Sequence, residues 1–127
     1  LHDVGKTEEL SSFPQNDYTD EGQLLGHIII GTTMIEDHIR KIDGFPGRLH
    51  NELIHLILSH HGELEYGSPK KPALMEAMVL SMMDNLDAKV ETMYEALTTR
   101  PPQNETGFIG FNKLIDSNLR KTDGASY

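Results

Sequence analysis

Apolar residues recur at helical spacing from Glu21 to Ile42, which predicts a long amphipathic helix. Thr19 or Asp20 can cap its start, because a short side chain with an oxygen accepts a bond from the first unpaired N–H groups. Gly26 and Gly31 interrupt the helix propensity, a feature that marks close packing or the close approach of another backbone. The apolar positions that keep the spacing are Leu24, Ile28, Ile35, Ile39 and Ile42.

Two further helices are predicted on the same grounds. The second runs from Arg48 to His61, with Gly62 as its C-terminal stop. The third runs from Pro72, whose missing N–H suits the first position of a helix, to about Leu97. We interpret its apolar stripe as core packing, because Met commonly fills gaps in protein interiors. The stripe consists of Met75, Val79, Met82, Leu86, Val90, Met93 and Leu97.

The remaining segments predict loops and a tail. Residues 4–20 form a polar stretch, and within it we interpret Ser11 to Asp17 as a loop, because every residue there has turn chemistry. The segment from Thr98 contains Pro101-Pro102 and several glycines, and we expect one short helix near Phe111 to Leu119 and a frayed end. No stretch gives a clear strand pattern, and the predicted fold class is therefore all-α.

Composition narrows the class of protein. A chain of 127 residues forms one domain, and 37% apolar with 24% charged residues is typical of a soluble globular protein. No apolar run is long enough to span a membrane. The absence of Cys removes disulfides and thiolate metal sites, and fits a cytoplasmic protein. The net charge of −9 argues against broad, non-specific binding to a nucleic-acid duplex.

The candidate chemistry begins with the segment Leu-His-Asp-Val-Gly-Lys at residues 1–6. A neutral imidazole beside a carboxylate, His2-Asp3, suits a divalent metal ion, and the carboxylate can bridge to a second ion. Lys6 supplies a mobile cation that can meet a phosphate. The pair alone is a weak signal, because His-Asp dipeptides are common. It becomes strong if further His and Asp residues converge on it.

Each predicted helix carries an ionisable residue at the edge of its apolar face. His27 directly precedes Ile28, His60 is the last inward position of its helix, and Asp84 flanks the stripe of the third helix. His61 follows His60 and keeps helical spacing with its own apolar neighbours. A single His at such a position is more often a surface or core residue, and nothing accompanies the three others, His38, His50 and His55.

We expect these residues to converge on the His-Asp pair around two divalent ions. Asp3 would bridge the ions, His27 and His60 would serve one of them, and His2 and Asp84 the other. A water held between two such ions is acidified into a nucleophile. Imidazole and carboxylate without sulfur favour Mn, Fe, Co, Ni or Zn over Ca.

With these residues in place, the chain resembles the HD superfamily of metal-dependent phosphohydrolases. The pattern of that family is His, then His-Asp, then two further His in the two-metal members, then Asp. Within the family the chain looks most like the YhaM-type 3′-to-5′ exoribonucleases. The matching segments are residues 1–6, 18–27, 57–69 and 83–90.

The resemblance implies an HD-domain helical bundle, which we place over residues 1–97. Residues 98–127 match nothing in the family, and we expect them to form a C-terminal extension with a short helix and an irregular tail. It implies a divalent-metal site, with Mn as the usual metal, and hydrolysis of single-stranded RNA from the 3′ end. Asp3 and Lys6 would take part in catalysis, and Lys6 would contact the substrate phosphate. The implied metal ligands are His2, Asp3, His27, His60 and Asp84, while His61 would ligate metal or contact substrate.

Two family features lie outside this chain. The first His of the family stands on a helix before the His-Asp pair, and a nucleic-acid-binding OB domain precedes the HD domain. The chain starts without Met and inside its own best motif, so we expect both features upstream of Leu1. The oligomeric state also stays open, with a homo-oligomer as one alternative. Two alternatives also stay open: a phosphohydrolase of nucleotides or other small phosphoesters, and a metal-binding HD module with a regulatory role and no catalysis.

Overall fold

A computed structural model describes residues 1–125 of the chain, and most of them are helical. The helices are α1 (Lys6–Glu9), α2 (Asp20–Ile39), α3 (Gly47–Ser59) and α4 (Met75–Thr99), with a 3₁₀ turn at Leu64–Tyr66. The two strands are β1 (Phe108–Asn112) and β2 (Ser117–Arg120). The prediction of a helical fold is confirmed. The chain forms two compact units, Leu1–Met82 and a second that begins at Met83. None of the helices within residues 1–125 has the length and apolar character needed to cross a membrane.

The start of α2 follows the predicted capping chemistry. Thr19 has an extended backbone, and its Oγ1 accepts a hydrogen bond from the Gly22 N–H at 2.9 Å. The same hydroxyl donates to the carbonyl of Glu8 at 2.8 Å. Asp20 and Glu21 add negative charge to the first turn, where the helix dipole favours it. The cap therefore starts α2 and also ties it to α1.

Two glycines in α2 mark a kink and a close backbone contact, as their positions predicted. Gly26 has a φ of +73°, outside the helical region, and interrupts α2. Beyond it, α2 passes directly against the turn that precedes α1. A Cβ added at Gly5 would lie 2.0 Å from the carbonyl oxygen of His27 and 2.6 Å from the nitrogen of Gly31. Only a residue without a side chain fits at Gly5.

Helix α3, which was predicted over Arg48 to His61, packs against α2 and ends two residues before its predicted end. Ile57 and Ser59 are buried, and the Ser59 hydroxyl donates to the carbonyl of His55 at 2.7 Å. Gly62, with a φ of +79°, then turns the chain away, as the predicted stop requires. Helices α2 and α3 are also joined by two half-buried side chains, because His50 Nε2 and Glu36 Oε1 are 2.9 Å apart.

The interpretation of the α4 stripe as core packing is wrong for most of its members. Met75, Met82 and Val90 have exposed fractions of 80%, 64% and 56%, whereas Leu97 is buried. Helical spacing shows that residues share a face, but it carries no information on whether another element covers that face. The helix also begins at Met75 instead of Pro72.

The short helix predicted near Phe111 to Leu119 is wrong, because this segment forms a β-hairpin. β1 and β2 pair antiparallel, with Asn112 opposite Ser117. The Asn112 side-chain oxygen accepts hydrogen bonds from the N–H groups of Leu114 (2.9 Å) and Ile115 (3.2 Å), a local bond typical of Asn in turns. The hydrophobic core of the second unit consists of Ala96, Leu97, Ile109 and Leu119, with Ile115 packed against it.

The contact at Gly5 gives a first prediction. Gly5→Ala should lower the free energy of unfolding by about 3 kcal/mol, because its Cβ overlaps backbone atoms of α2 that have little room to move. Urea unfolding followed by circular dichroism measures the change. Gly47→Ala is the control, since a Cβ there meets no atom within 4 Å. Equal stability of the two variants would contradict the contact.

The pair on the flank of α2 and α3 gives a second prediction. The hydrogen bond to Glu36, with a further one to Asn51, raises the pKa of His50 above its ordinary value of 6.5. A raised pKa means that the pair stabilises the fold fully below pH 6.5, and that this contribution disappears as the pH rises through the higher folded-state value. The melting temperature of Glu36→Gln should therefore fall below that of the parent chain at acidic pH and approach it at alkaline pH. Asp37→Asn, which removes a partner of Arg40 instead, should show no such pH dependence.

Candidate metal centre

Three buried polar atoms in the first unit face one another without a hydrogen-bond partner among residues 1–125. They are Asp3 Oδ1, His27 Nε2 and His60 Nε2. Asp3 Oδ1 lies 3.5 Å from the His27 nitrogen and 3.6 Å from the His60 nitrogen. Leaving such atoms unpaired is costly, and proteins rarely do so without a reason. A divalent cation between them would satisfy all three.

The position of Asp3 follows from the turn that leads into α1. Its carbonyl accepts the N–H of Lys6 at 3.0 Å, and its Oδ2 accepts the Lys6 ammonium at 2.7 Å. The second carboxylate oxygen, Oδ1, is left to face the imidazoles. The packing of Gly5 on the backbone of His27 brings this turn close enough for that contact.

The three central imidazoles are each held through Nδ1. His60 Nδ1 lies 2.7 Å from the carbonyl of Ile57, and His61 Nδ1 lies 2.8 Å from the carbonyl of Tyr66. A carbonyl can only accept, so both Nδ1 atoms carry the proton and both Nε2 atoms keep a lone pair. His27 Nδ1 lies 3.3 Å from a carboxylate oxygen of Glu9, which imposes the same arrangement. The imidazoles therefore present nitrogen lone pairs, the form that binds metal.

The ionisation of the site favours a cation. Burial lowers the pKa of the fully buried His60, which keeps this imidazole neutral at physiological pH. At Asp3 burial acts to raise the pKa, but the hydrogen bond and charge of Lys6, with His2 and His27, lower it below its ordinary value of 3.8. The carboxylate is therefore charged while the nearby imidazole is uncharged, which is the combination a divalent ion requires.

His2 and His61 complete the group of imidazoles. The ring centre of His2 lies 5.1 Å from that of His60, and its Nε2 lies 3.6 Å from Asp3 Oδ2. The ring of His61 lies 4.4 Å from that of His60 and 5.1 Å from that of His27. His27, His60 and His61 each offer a ligand atom within 4.8 Å of the other two. Both members of the His-His pair are thus near the centre, and only His60 is fully buried.

Six of the seven residues predicted for the site lie together in the first unit: His2, Asp3, Lys6, His27, His60 and His61. The seventh, Asp84, lies on α4 in the second unit, and its role as a ligand stays a prediction. The three histidines that the sequence analysis left out of the predicted site have other contacts. His38 approaches the carbonyl of Met34, His50 pairs with Glu36, and His55 Nε2 accepts the N–H of Ala73.

Sequence reasoning missed one residue, Glu9. It lies at the end of α1, a helix that the sequence analysis did not predict, and its side chain is buried with an exposed fraction of 8%. Its carboxylate contacts both the N–H and the ring of His27. No feature of its own sequence neighbourhood signals this, because the contact joins residues 18 positions apart through the kink at Gly26.

Comparisons with known proteins identify the family of the chain. The family model of the HD domain matches residues 1–89. The chain is 47% identical over 102 residues to the 3'-5' exoribonuclease YhaM of Shouchella clausii, and 45% identical over 106 residues to that of Bacillus subtilis. Each match covers 80% of this chain and 32% of the relative. The chain therefore spans about a third of the length of these relatives. No solved structure matches the chain.

If the buried atoms of Asp3, His27 and His60 bind a metal ion, the ion should stabilise the fold, and His60 should be needed for this effect. Mn²⁺ at about 100 times its dissociation constant should raise the free energy of unfolding by about 2.7 kcal/mol, compared with the chain in the presence of a chelator. His60→Gln should lose most of this gain, because an amide is a poor substitute for the imidazole lone pair. Thermal unfolding with Mn²⁺ or with chelator measures it. His38→Gln, outside the cluster, should keep the full gain, and loss of the gain in both variants would point to a non-specific effect.

Proposed function

Because this chain belongs to the HD domain family, we propose that it carries the metal centre of a phosphohydrolase that shortens single-stranded RNA from the 3′ end. The observation that carries the proposal is the set of three buried, unpartnered atoms on Asp3, His27 and His60. The RNA substrate is supported by the relatives, which are named 3'-5' exoribonucleases. We assign binding of the RNA strand to an OB-type domain elsewhere in the protein. We also place the protein in the cytoplasm.

The proposed ligands divide between two ions. Asp3, His27 and His60 would hold the first, and Asp3, His2 and Asp84 would hold the second. Mn is the favoured metal, on the resemblance to the YhaM type and on the mixed imidazole and carboxylate donors. His61 either joins the nitrogen ligands or contacts the substrate. A divalent ion bound there supplies Lewis acidity to the phosphoryl oxygens and acidifies a water molecule.

The chain's own residues contribute positioning and charge. Lys6 already donates to Asp3 Oδ2, and an ammonium carries three N–H donors. It can therefore keep this bond and donate a second one to a phosphate oxygen. The net charge of −9 opposes the approach of a polyanion. Local positive charge beside Asp3 is therefore what a scissile phosphate needs for binding here.

Product analysis on labelled RNA tests the proposal. The protein is incubated with Mn²⁺ and a single-stranded RNA that carries a label at its 5′ or 3′ end. A ladder of 5′-labelled products that shorten one nucleotide at a time, with release of nucleoside monophosphate, is the expected result. Metal binding without RNA cleavage would contradict the RNA assignment and favour a small phosphoester as substrate. No metal binding at all would contradict the phosphohydrolase itself.

Asp3→Ala provides the matching variant. It removes the proposed bridging ligand and the partner of Lys6, and we expect metal binding to be lost and cleavage to fall by about 100-fold or more. Circular dichroism should show an unchanged helical fold. Asp37→Ala, an exposed acid on α2, is the control and should cleave as the parent does. Full activity in Asp3→Ala would rule out this centre as the site of hydrolysis.

A further inference from the structure

Among residues 1–125, Glu9 is the one buried acid, and it contacts His27 at the ring nitrogen opposite the one that faces Asp3. Its exposed fraction is 8%, and its Oε1 accepts the backbone N–H of His27 at 3.0 Å. The same oxygen lies 3.3 Å from His27 Nδ1. Burying a carboxylate is costly unless it is hydrogen-bonded, and Oε1 of Glu9 makes both of these contacts to a single residue of the site.

The kink at Gly26 makes this contact available. Gly26 leaves the helical conformation, so His27 stands at the start of the second segment of α2. Its N–H donates to the Glu9 side chain, in the manner of a helix-capping residue. The carboxylate thus fixes the backbone and the ring of His27 together, which a bond to the ring alone would not achieve.

The backbone of Glu9 is itself fixed at the start of α2. Its carbonyl accepts the N–H of Thr19 at 2.9 Å, and it lies 3.2 Å from the Thr19 hydroxyl, whose proton is directed to the nearer carbonyl of Glu8. A Cβ added at Gly22 would lie 2.3 Å from the same carbonyl oxygen, so the two backbones are in direct contact. Glu9 therefore contacts α2 at two points: its main chain meets the first turn, and its side chain meets the kink.

The other central imidazoles are held differently. Nδ1 of His60 and of His61 donates to a main-chain carbonyl, which is a neutral acceptor. His27 is backed by a carboxylate instead. A carboxylate behind an imidazole fixes its tautomer and makes the opposite nitrogen a better metal ligand.

We propose that Glu9 is a positioning residue for the metal centre. It holds His27 in the Nδ1–H tautomer with Nε2 directed at Asp3 Oδ1, and it thereby sets the affinity of the first ion. This inference rests on the proposed metal site and is independent of the RNA substrate. Glu9 does not contact the ion, and its effect reaches the centre only through His27.

Two measurements on the whole chain test the role. Long-range ¹H–¹⁵N NMR of the metal-free chain reports which nitrogen of His27 carries the proton. Calorimetric titration with Mn²⁺ reports the dissociation constant. Glu9→Ala removes the acceptor, and we expect a mixture of His27 tautomers and an affinity lower by about 10-fold to 100-fold. Glu9→Gln keeps an oxygen acceptor and loses the charge, so we expect the parental tautomer and an affinity lower by about 10-fold.

Glu8→Gln is the matched control, because the neighbouring side chain is exposed and should leave both readouts unchanged. An Mn²⁺ affinity of Glu9→Gln within about twofold of this control would overturn the proposal, and so would a parental tautomer in Glu9→Ala. Should Glu9→Ala fail to fold, Glu9→Gln decides alone. Metal binding by the parent chain without RNA cleavage would remove the proposed substrate and leave the role of Glu9 intact.

Discussion

The close passage of Gly5 over α2 determines where the reactive groups of this chain lie. The contact is between backbones, with a virtual Cβ only 2.0 Å from the carbonyl oxygen of His27. It places Asp3, two residues before Gly5, directly beside the imidazole of His27. Longer side chains at this crossing would separate the turn from the helix, and the carboxylate would no longer reach the nitrogen atoms.

This arrangement imposes a cost on the metal-free fold. Three buried atoms lack a hydrogen-bond partner within residues 1–125, and each one carries a desolvation penalty. The surrounding structure is built to hold them in place. Ile57 and Ser59 are buried next to His60, and Lys6 neutralises the far side of Asp3. Unsatisfied polar groups are common at binding sites, because binding requires ligand groups that are held in place and are not already paired within the protein.

The sequence predicted the parts of the site that depend on local spacing. His27 and His60 stand at the edge of apolar helical faces, and both lie at the centre. Glu9 escaped prediction because its contact depends on a kink and on a distance of 18 positions along the chain. The exposed face of α4 and the hairpin were misread for related reasons. Periodicity cannot show what covers a face, and the turn at Asn112 is made by a side chain whose partners lie two and three residues ahead.

The two carboxylate oxygens of Asp3 face different groups. Oδ2 is bonded to Lys6, and Oδ1 faces the two imidazoles. In the proposed centre the first ion would face Oδ1 without displacing Lys6, so that the carboxylate would hold a metal ion and an ammonium side by side. In a chain with a net charge of −9, this is how positive charge can be concentrated at one point. A phosphate in contact with both groups would be attracted locally, although the net charge of the chain is negative.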